Sequence, residues 1–340
     1  MNGYQRIMAA FTGKHPDTVP VMLHNFMMAA REAGLTMDEF RADPHQMARA
    51  FIESVEKYEY DGVLIDVDTV TLAGAAGVPI QSPWDQPSVA VGARLQNLEE
   101  VNDLRPVDLS QYRPVRVWLE ATSILCNHFR KEILVRGNCD QSPFTLASLL
   151  RGMEPWMLDL ADETKHELVH RLLDYCTSIT VQFIRLMSET GAHMTSNGDS
   201  TAGPELISPA MFRTFALPYE QKVVQCAHKL HMPYVLHICG NANRIIDAML
   251  ETEADGLDLD YRTDPTLARD KMKDRAVFVG NLDPSGVLAL GTPALIEEKT
   301  RELLTIFAEN PRFVLNAGCA IPPMTPPENL KAMIHTARSF

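Results

Sequence analysis

Tyr234 to Gly240 reads Y-V-L-H-I-C-G, an apolar, β-prone run that ends in two soft metal ligands, His237 and Cys239. Residues two apart in a strand point to the same face, so the imidazole and the thiol would project together at the strand's end. A third soft ligand would complete a zinc site. Cys319, after the β-rich run Arg312 to Asn316, is the better candidate, and Cys139, after Ile133 to Arg136, is the rival. A His-Cys-Cys set is one that catalytic zinc uses while leaving a coordination position open for water or substrate. The H-x-C pair alone also describes a core histidine beside an inert buried thiol, so the position of the pair in the fold has to decide.

The elements that must position these groups follow from periodicity and punctuation. Helical spacing over 3–12 precedes a first strand, Val19 to Leu23, that ends at His24 and Asn25. A long helix over 37–58 leads to a second strand, Gly62 to Val67, closing on Asp66 and Asp68, and the Gly- and Pro-rich stretch 74–92 reads as a long loop. A helix over 115–129 precedes the third run, Ile133 to Arg136, which ends in Asn138, Cys139 and Asp140. Ser142 and Pro143 open the next helix, as N-cap and first helical residue. Helices over 154–160 and 163–190 lead to Ala192 to Ser196, followed by Asn197, Asp199 and Ser200. Ser208 and Pro209 start another helix, with Pro218 as an internal kink, before the His237 strand. Gly256 to Asp260 and Ala276 to Gly280, the latter followed by Asn281, are the sixth and seventh strands, separated by the segment 266–273. The helix 293–310 precedes the eighth strand, and Thr325 with Glu328 reads as a capping box for a last helix with Pro326 at its first position.

Eight short β-rich runs alternating with helices predict parallel strands with crossover helices, and the number eight predicts a single (β/α)8 TIM barrel over residues 1–340, preceded by an N-terminal helical extension. No G-x-G-x-x-G follows the first strand, which removes the main support for an open dinucleotide-binding sheet. All eight runs finish in Asn, Asp, His or Cys, the residues from which barrel enzymes assemble a site at the C-terminal mouth.

Composition limits the partners. The chain carries 44 acidic against 31 basic residues, net −13, without a Lys/Arg cluster, so no footprint for nucleic acid or an anionic membrane surface is present. No apolar run reaches the roughly 20 residues a bilayer span needs, and no secretory leader is visible; the expected location is the cytoplasm. Six cysteines in 340 residues are too few for a disulfide framework. Cys126, Cys176 and Cys226 sit in helical patterns and are expected in the core, as are most of the 17 methionines.

H-I-C-G-N at 237–241, V-G-N-L-D-P at 279–284, S-P-F-T-L-A at 142–147, I-S-P-A-M-F at 207–212 and P-P-M-T-P-P-E-N-L at 322–330 resemble the uroporphyrinogen decarboxylase superfamily over nearly the whole chain. The H-x-C pair with a cysteine before the final P-x-T-P-P-E-N resembles its methylcobalamin:coenzyme M methyltransferase branch, which implies that His237, Cys239 and Cys319 are zinc ligands. The decarboxylases carry M-R-Q-A-G-R-Y after the first strand; here 23–34 reads L-H-N-F-M-M-A-A-R-E-A-G, so that at most Arg31 remains. They also have a histidine at the position of Cys319, whereas Asp66 does match their pattern.

The implied reaction moves a methyl group from a methylated corrinoid to a thiol such as coenzyme M or a related acceptor, with zinc activating the thiol and with tetrahydrofolate as the alternative partner in a one-carbon pathway. No D-x-H-x-x-G corrinoid signature is present, so the donor is expected as free methylcobalamin or on a separate carrier protein. Asp199, or Glu205, is a candidate fourth zinc ligand at rest. His24, Asp66, Asn138, Asn197, Asp258 and Asn281 are candidates for substrate binding, with Asp260 beside them and Asn316 the least favoured; Arg136 and Arg262 are possible anion partners. A metal-free tetrapyrrole decarboxylase and a non-catalytic, zinc-stabilised barrel that docks a corrinoid protein are the alternatives.

Overall fold

The computed structural model describes all of residues 1–340. Eight parallel strands lie in sequence order around a barrel: β1 (Met22–Leu23), β2 (Gly62–Ile65), β3 (Leu134–Gln141), β4 (Met194–Gly198), β5 (Tyr234–Ile238), β6 (Gly256–Leu259), β7 (Val277–Leu282) and β8 (Phe313–Ala317). A parallel bridge between Val21 and Leu315 closes the ring.

Side-chain alternation turns this ring into stacked layers, because every second residue of a strand faces inward. At the bottom, Met22, Leu64, Leu134, Met194, Val235, Val277, Val279 and Val314 form a fully apolar plug. The N-terminal helix, Gly3–Phe11, seals it from below by inserting Ile7 and Ala10. The approach is close: a Cβ on Gly62 would lie 2.5 Å from Ile7 Cδ1. Two residues further along the same strands come His24, Asp66, Arg136 and His237, so one step of the pleat changes the interior from hydrocarbon to titratable groups.

Several local expectations need correction. The helix expected over 37–58 is two, Met37–Ala42 and Pro44–Tyr58, because Asp43 accepts from His45 N and Gln46 N as an N-cap in front of Pro44. The stretch 74–92 is not all loop: it begins within a short helix, Thr71–Ala75, and holds an antiparallel pair, Ile80–Gln81 with Val89–Ala90. The third strand extends through Asn138, Cys139 and Asp140 rather than stopping before them. At Pro218 a π-helical turn, Phe212–Ala216, precedes the helix Leu217–Lys229, consistent with a proline that lacks an N–H. The last helix starts at Pro327 with Pro326 as its N-cap, so the Thr325/Glu328 capping box does not form; Thr325 Oγ1 is buried without a partner.

Candidate metal centre

His237, Cys239 and Cys319 meet at one cavity, their ligand atoms all within 4.8 Å of one another. His237 comes from β5, in register with Gly198 of β4 and Asp258 of β6. Its Nδ1 donates to Asp258 O at 2.8 Å, which leaves Nε2 facing the sulfurs, 3.1 Å from Cys239 Sγ. A metal-binding histidine usually has its ring fixed in this way by a carbonyl on the other nitrogen. Cys239 follows the end of β5 and is held by the turn at Gly240, whose φ of +83° favours glycine and whose N–H donates to Asp260 at 2.9 Å. Cys319 follows β8 through Gly318, where a Cβ would lie 2.3 Å from Tyr261 N. Ser200 Oγ, 3.4 Å from Cys239 Sγ, completes the surroundings and carried no distinguishing mark in the sequence.

The electrostatics suit a cation. A hydrogen bond from Cys319 is the largest influence on the Cys239 thiol, and with His237 it outweighs burial and lowers the pKa to about 3. Burial opposes a charged His237, but the Cys239 thiolate and Asp258 overcome it and raise the imidazole to about 10. Cys319 is held well above the ordinary thiol range by its bond to the thiolate and by burial. The imidazole and the two sulfurs thus converge as soft donors, an arrangement in which a bound cation would displace protons. The donor set, its spacing and the fixed imidazole fit zinc.

The cavity, about 240 Å³, is lined by most of the other residues singled out in the sequence. His24 Nε2 lies 2.7 Å from Asp66 Oδ2, and the His24 ring stacks on Phe26. Arg136, buried in the barrel, donates to Asp258 Oδ2 at 2.7 Å, and Asp258 Oδ1 is 3.8 Å from His237 Nδ1. Arg136 is therefore tied to the His237 side of the site through Asp258. Asn138 and Asn197 also line the cavity, but Asn197 is largely committed, donating to Cys139 O and accepting from Tyr234 Oη. Asp68, Gln141 and Met27 line it as well.

Other expected site residues lie elsewhere. Asp199 is not beside the metal ligands: its Oδ1 accepts from Thr145 N at 2.7 Å, and its carboxyl lies in the barrel wall next to Glu220. Glu205 is exposed and paired with Arg262 at 2.9 Å, so neither of the two supplies a fourth ligand in this arrangement. Asn281 does not line the cavity; it donates to Asp260 O and Thr263 O and ties strand ends together. Asn316 accepts from His24 N and Ala317 N, a structural role. Cys139 points into the wall, 3.1 Å from Thr195 Oγ1, which removes it as a rival third ligand.

The Asp199 and Glu220 pair has a consequence for stability. Burial raises Asp199 to about 6 and Glu220 well above its usual range, and both Glu220 oxygens are buried without a donor from the rest of the chain. An acid whose pKa is raised by folding contributes fully below its unfolded value, roughly 4, and loses that contribution as pH rises toward the folded value. Thermal unfolding of Glu220→Gln should accordingly gain on wild type above pH 6, by ~1–3 kcal/mol at pH 8, and show no such gain at pH 4.

Comparison with known proteins agrees with this architecture. Residues 2–340 match the uroporphyrinogen decarboxylase (URO-D) family, and the chain belongs to that family. Within it, the chain is 32% identical over 341 residues to the methylcobamide:CoM methyltransferase MtbA of Methanosarcina acetivorans, covering 99% of this chain and 97% of that protein. A uroporphyrinogen decarboxylase of Parasynechococcus marenigrum is 30% identical over 291 residues, covering 83% and 79%. The solved structure of a methyltransferase from Methanosarcina mazei superposes with a TM-score of 0.90 at 26% identity, covering 100% of this chain and 99% of that one.

Proposed function

We propose that the protein transfers a methyl group from a methylated corrinoid to a small thiol, with His237, Cys239 and Cys319 holding a zinc ion. The observation that carries this reading is the convergence of one imidazole and two sulfurs, from the end of β5 and the segments after β5 and β8, at a single cavity. Zinc, when bound there, would supply a Lewis acid that keeps an acceptor thiol deprotonated at neutral pH.

The chain's own groups do the rest. Asp258 O fixes the imidazole, and the buried Arg136 balances the Asp258 carboxylate beside it. The His24–Asp66 pair lies in the same cavity, able to accept the thiol proton or to bind the thiol's polar end. In the transfer, the acceptor sulfur forms the new S–C bond while the carbon–cobalt bond breaks, its electron pair staying on cobalt, which falls from Co(III) to Co(I). The walls align donor and acceptor and exclude water.

One observation counts against tetrapyrrole decarboxylation. Arg31, the one remnant of the decarboxylases' cationic segment, is exposed and does not line the cavity that holds His237, Cys239 and Cys319. The relatives named for coenzyme M make that thiol the first acceptor to try. Zinc-loaded protein should demethylate methylcobalamin only when a suitable thiol is present, followed by absorbance across a panel that includes coenzyme M. Demethylation that is independent of thiol, or none with any thiol, would count against the reading.

A further inference from the structure

A second cavity adjoins the first at the mouth of the barrel. It is the larger, about 430 Å³ against 240 Å³, and Met27 and Pro87 are walls of both. The rest of its lining combines apolar Leu35, Met37 and Pro323 with three exposed polar side chains, Arg31, Asp85 and Gln86. The loop that supplies Asp85, Gln86 and Pro87 is anchored by its backbone: Arg41 donates to Pro83 O and Gln86 O, and Asp38 N donates to Trp84 O.

On the methyltransferase reading, the inner cavity of about 240 Å³ takes a small thiol and the methyl group it receives, and a corrin macrocycle is too large to enter it. A macrocycle delivering its methyl group to the His/Cys cluster must therefore lie across the mouth, with part of its edge beyond Met27 and Pro87. That edge carries short uncharged amide arms, each an aliphatic stem with a head that both donates and accepts hydrogen bonds. The outer cavity has the matching chemistry: an apolar wall for the stem, guanidinium and amide N–H donors from Arg31 and Gln86, and an acceptor in Asp85. We propose that this outer cavity is a second subsite, which takes the amide-bearing edge of the corrinoid; this rests on the methyltransferase reading above.

Fluorescence can test the subsite without turnover. Trp118 and Trp156 are fully buried whereas Trp84, on the loop beside the cavity, is 68% exposed, so iodide-quenchable emission reports on Trp84. Cyanocobalamin absorbs where tryptophan emits and carries no transferable methyl group. Titrated into the zinc-loaded full-length chain, it should quench this emission saturably. The double variant Arg31→Ala/Gln86→Ala should raise the Kd for cyanocobalamin about tenfold, equivalent to ~1.4 kcal/mol, and raise the KM for methylcobalamin in parallel. Its zinc content, thermal transition and KM for the thiol should match wild type. An unchanged Kd in a variant, alongside a wild type that transfers methyl groups, would overturn the subsite and leave the methyltransferase reading standing. A wild type that does not bind cyanocobalamin and demethylates methylcobalamin neither free nor on a corrinoid carrier protein would overturn both.

Discussion

Cys319→Ala should lose bound zinc and methyl transfer together. Removing a group one step behind a metal, such as a hydrogen-bond partner of a ligand, typically weakens binding by 10–100-fold, so removing one of three protein ligands should exceed roughly 100-fold. The same coupled loss is expected for His237→Ala and Cys239→Ala, because all three donors meet within 4.8 Å. Metal analysis after dialysis against a weak chelator, paired with methylcobalamin turnover, reads both effects on one sample. Full turnover in a zinc-free Cys319→Ala would favour the metal-free decarboxylase class of chemistry. A chelator that lowers the melting temperature of wild type, while no thiol is ever methylated by the zinc-loaded protein, would favour a docking barrel with structural zinc.

The second large effect is expected at Arg136. Its side chain is 2% exposed and its partner Asp258 is 5% exposed, with 2.7 Å between them. Taking away one member of such a pair leaves an uncompensated buried charge and typically costs ~3–5 kcal/mol. Arg136→Met should thus lower the melting temperature on the order of 5–10 °C. The double variant Arg136→Met/Asp258→Leu should recover most of that loss, since a buried ion pair replaced whole by apolar side chains is often neutral. Recovery of stability without recovery of turnover would separate the pair's role in the fold from its role beside His237. A single variant as stable as wild type would mean that Asp258 is satisfied by other groups.

Much of this was legible in the sequence because a barrel strand has only two faces. Eight runs ending in polar residues gave the ring and its functional end, and spacing by two put His24, Asp66, Arg136 and His237 in one interior layer. The same parity removes Cys139: Arg136 and Asn138 face the cavity, so the next residue faces the wall, where Thr195 meets it. Parity fails beyond a strand's last residue. Asp199 follows Gly198 at the end of β4, and its carboxylate bonds to Thr145 N in the wall instead of reaching the metal ligands. Asn281 is likewise taken up by loop carbonyls. The spacing of Thr325 and Glu328 suits a capping box, but two successive prolines start the helix one residue later, at Pro327. Ser200 and the outer cavity depend on loop geometry, which no periodicity encodes.

The most direct test is X-ray absorption at the zinc edge of the purified protein. One zinc per chain with two sulfur ligands and one protein nitrogen, gaining a third sulfur when the acceptor thiol is added, is the predicted result. A fully active preparation without bound zinc, or a zinc shell with fewer than two sulfurs, would contradict it.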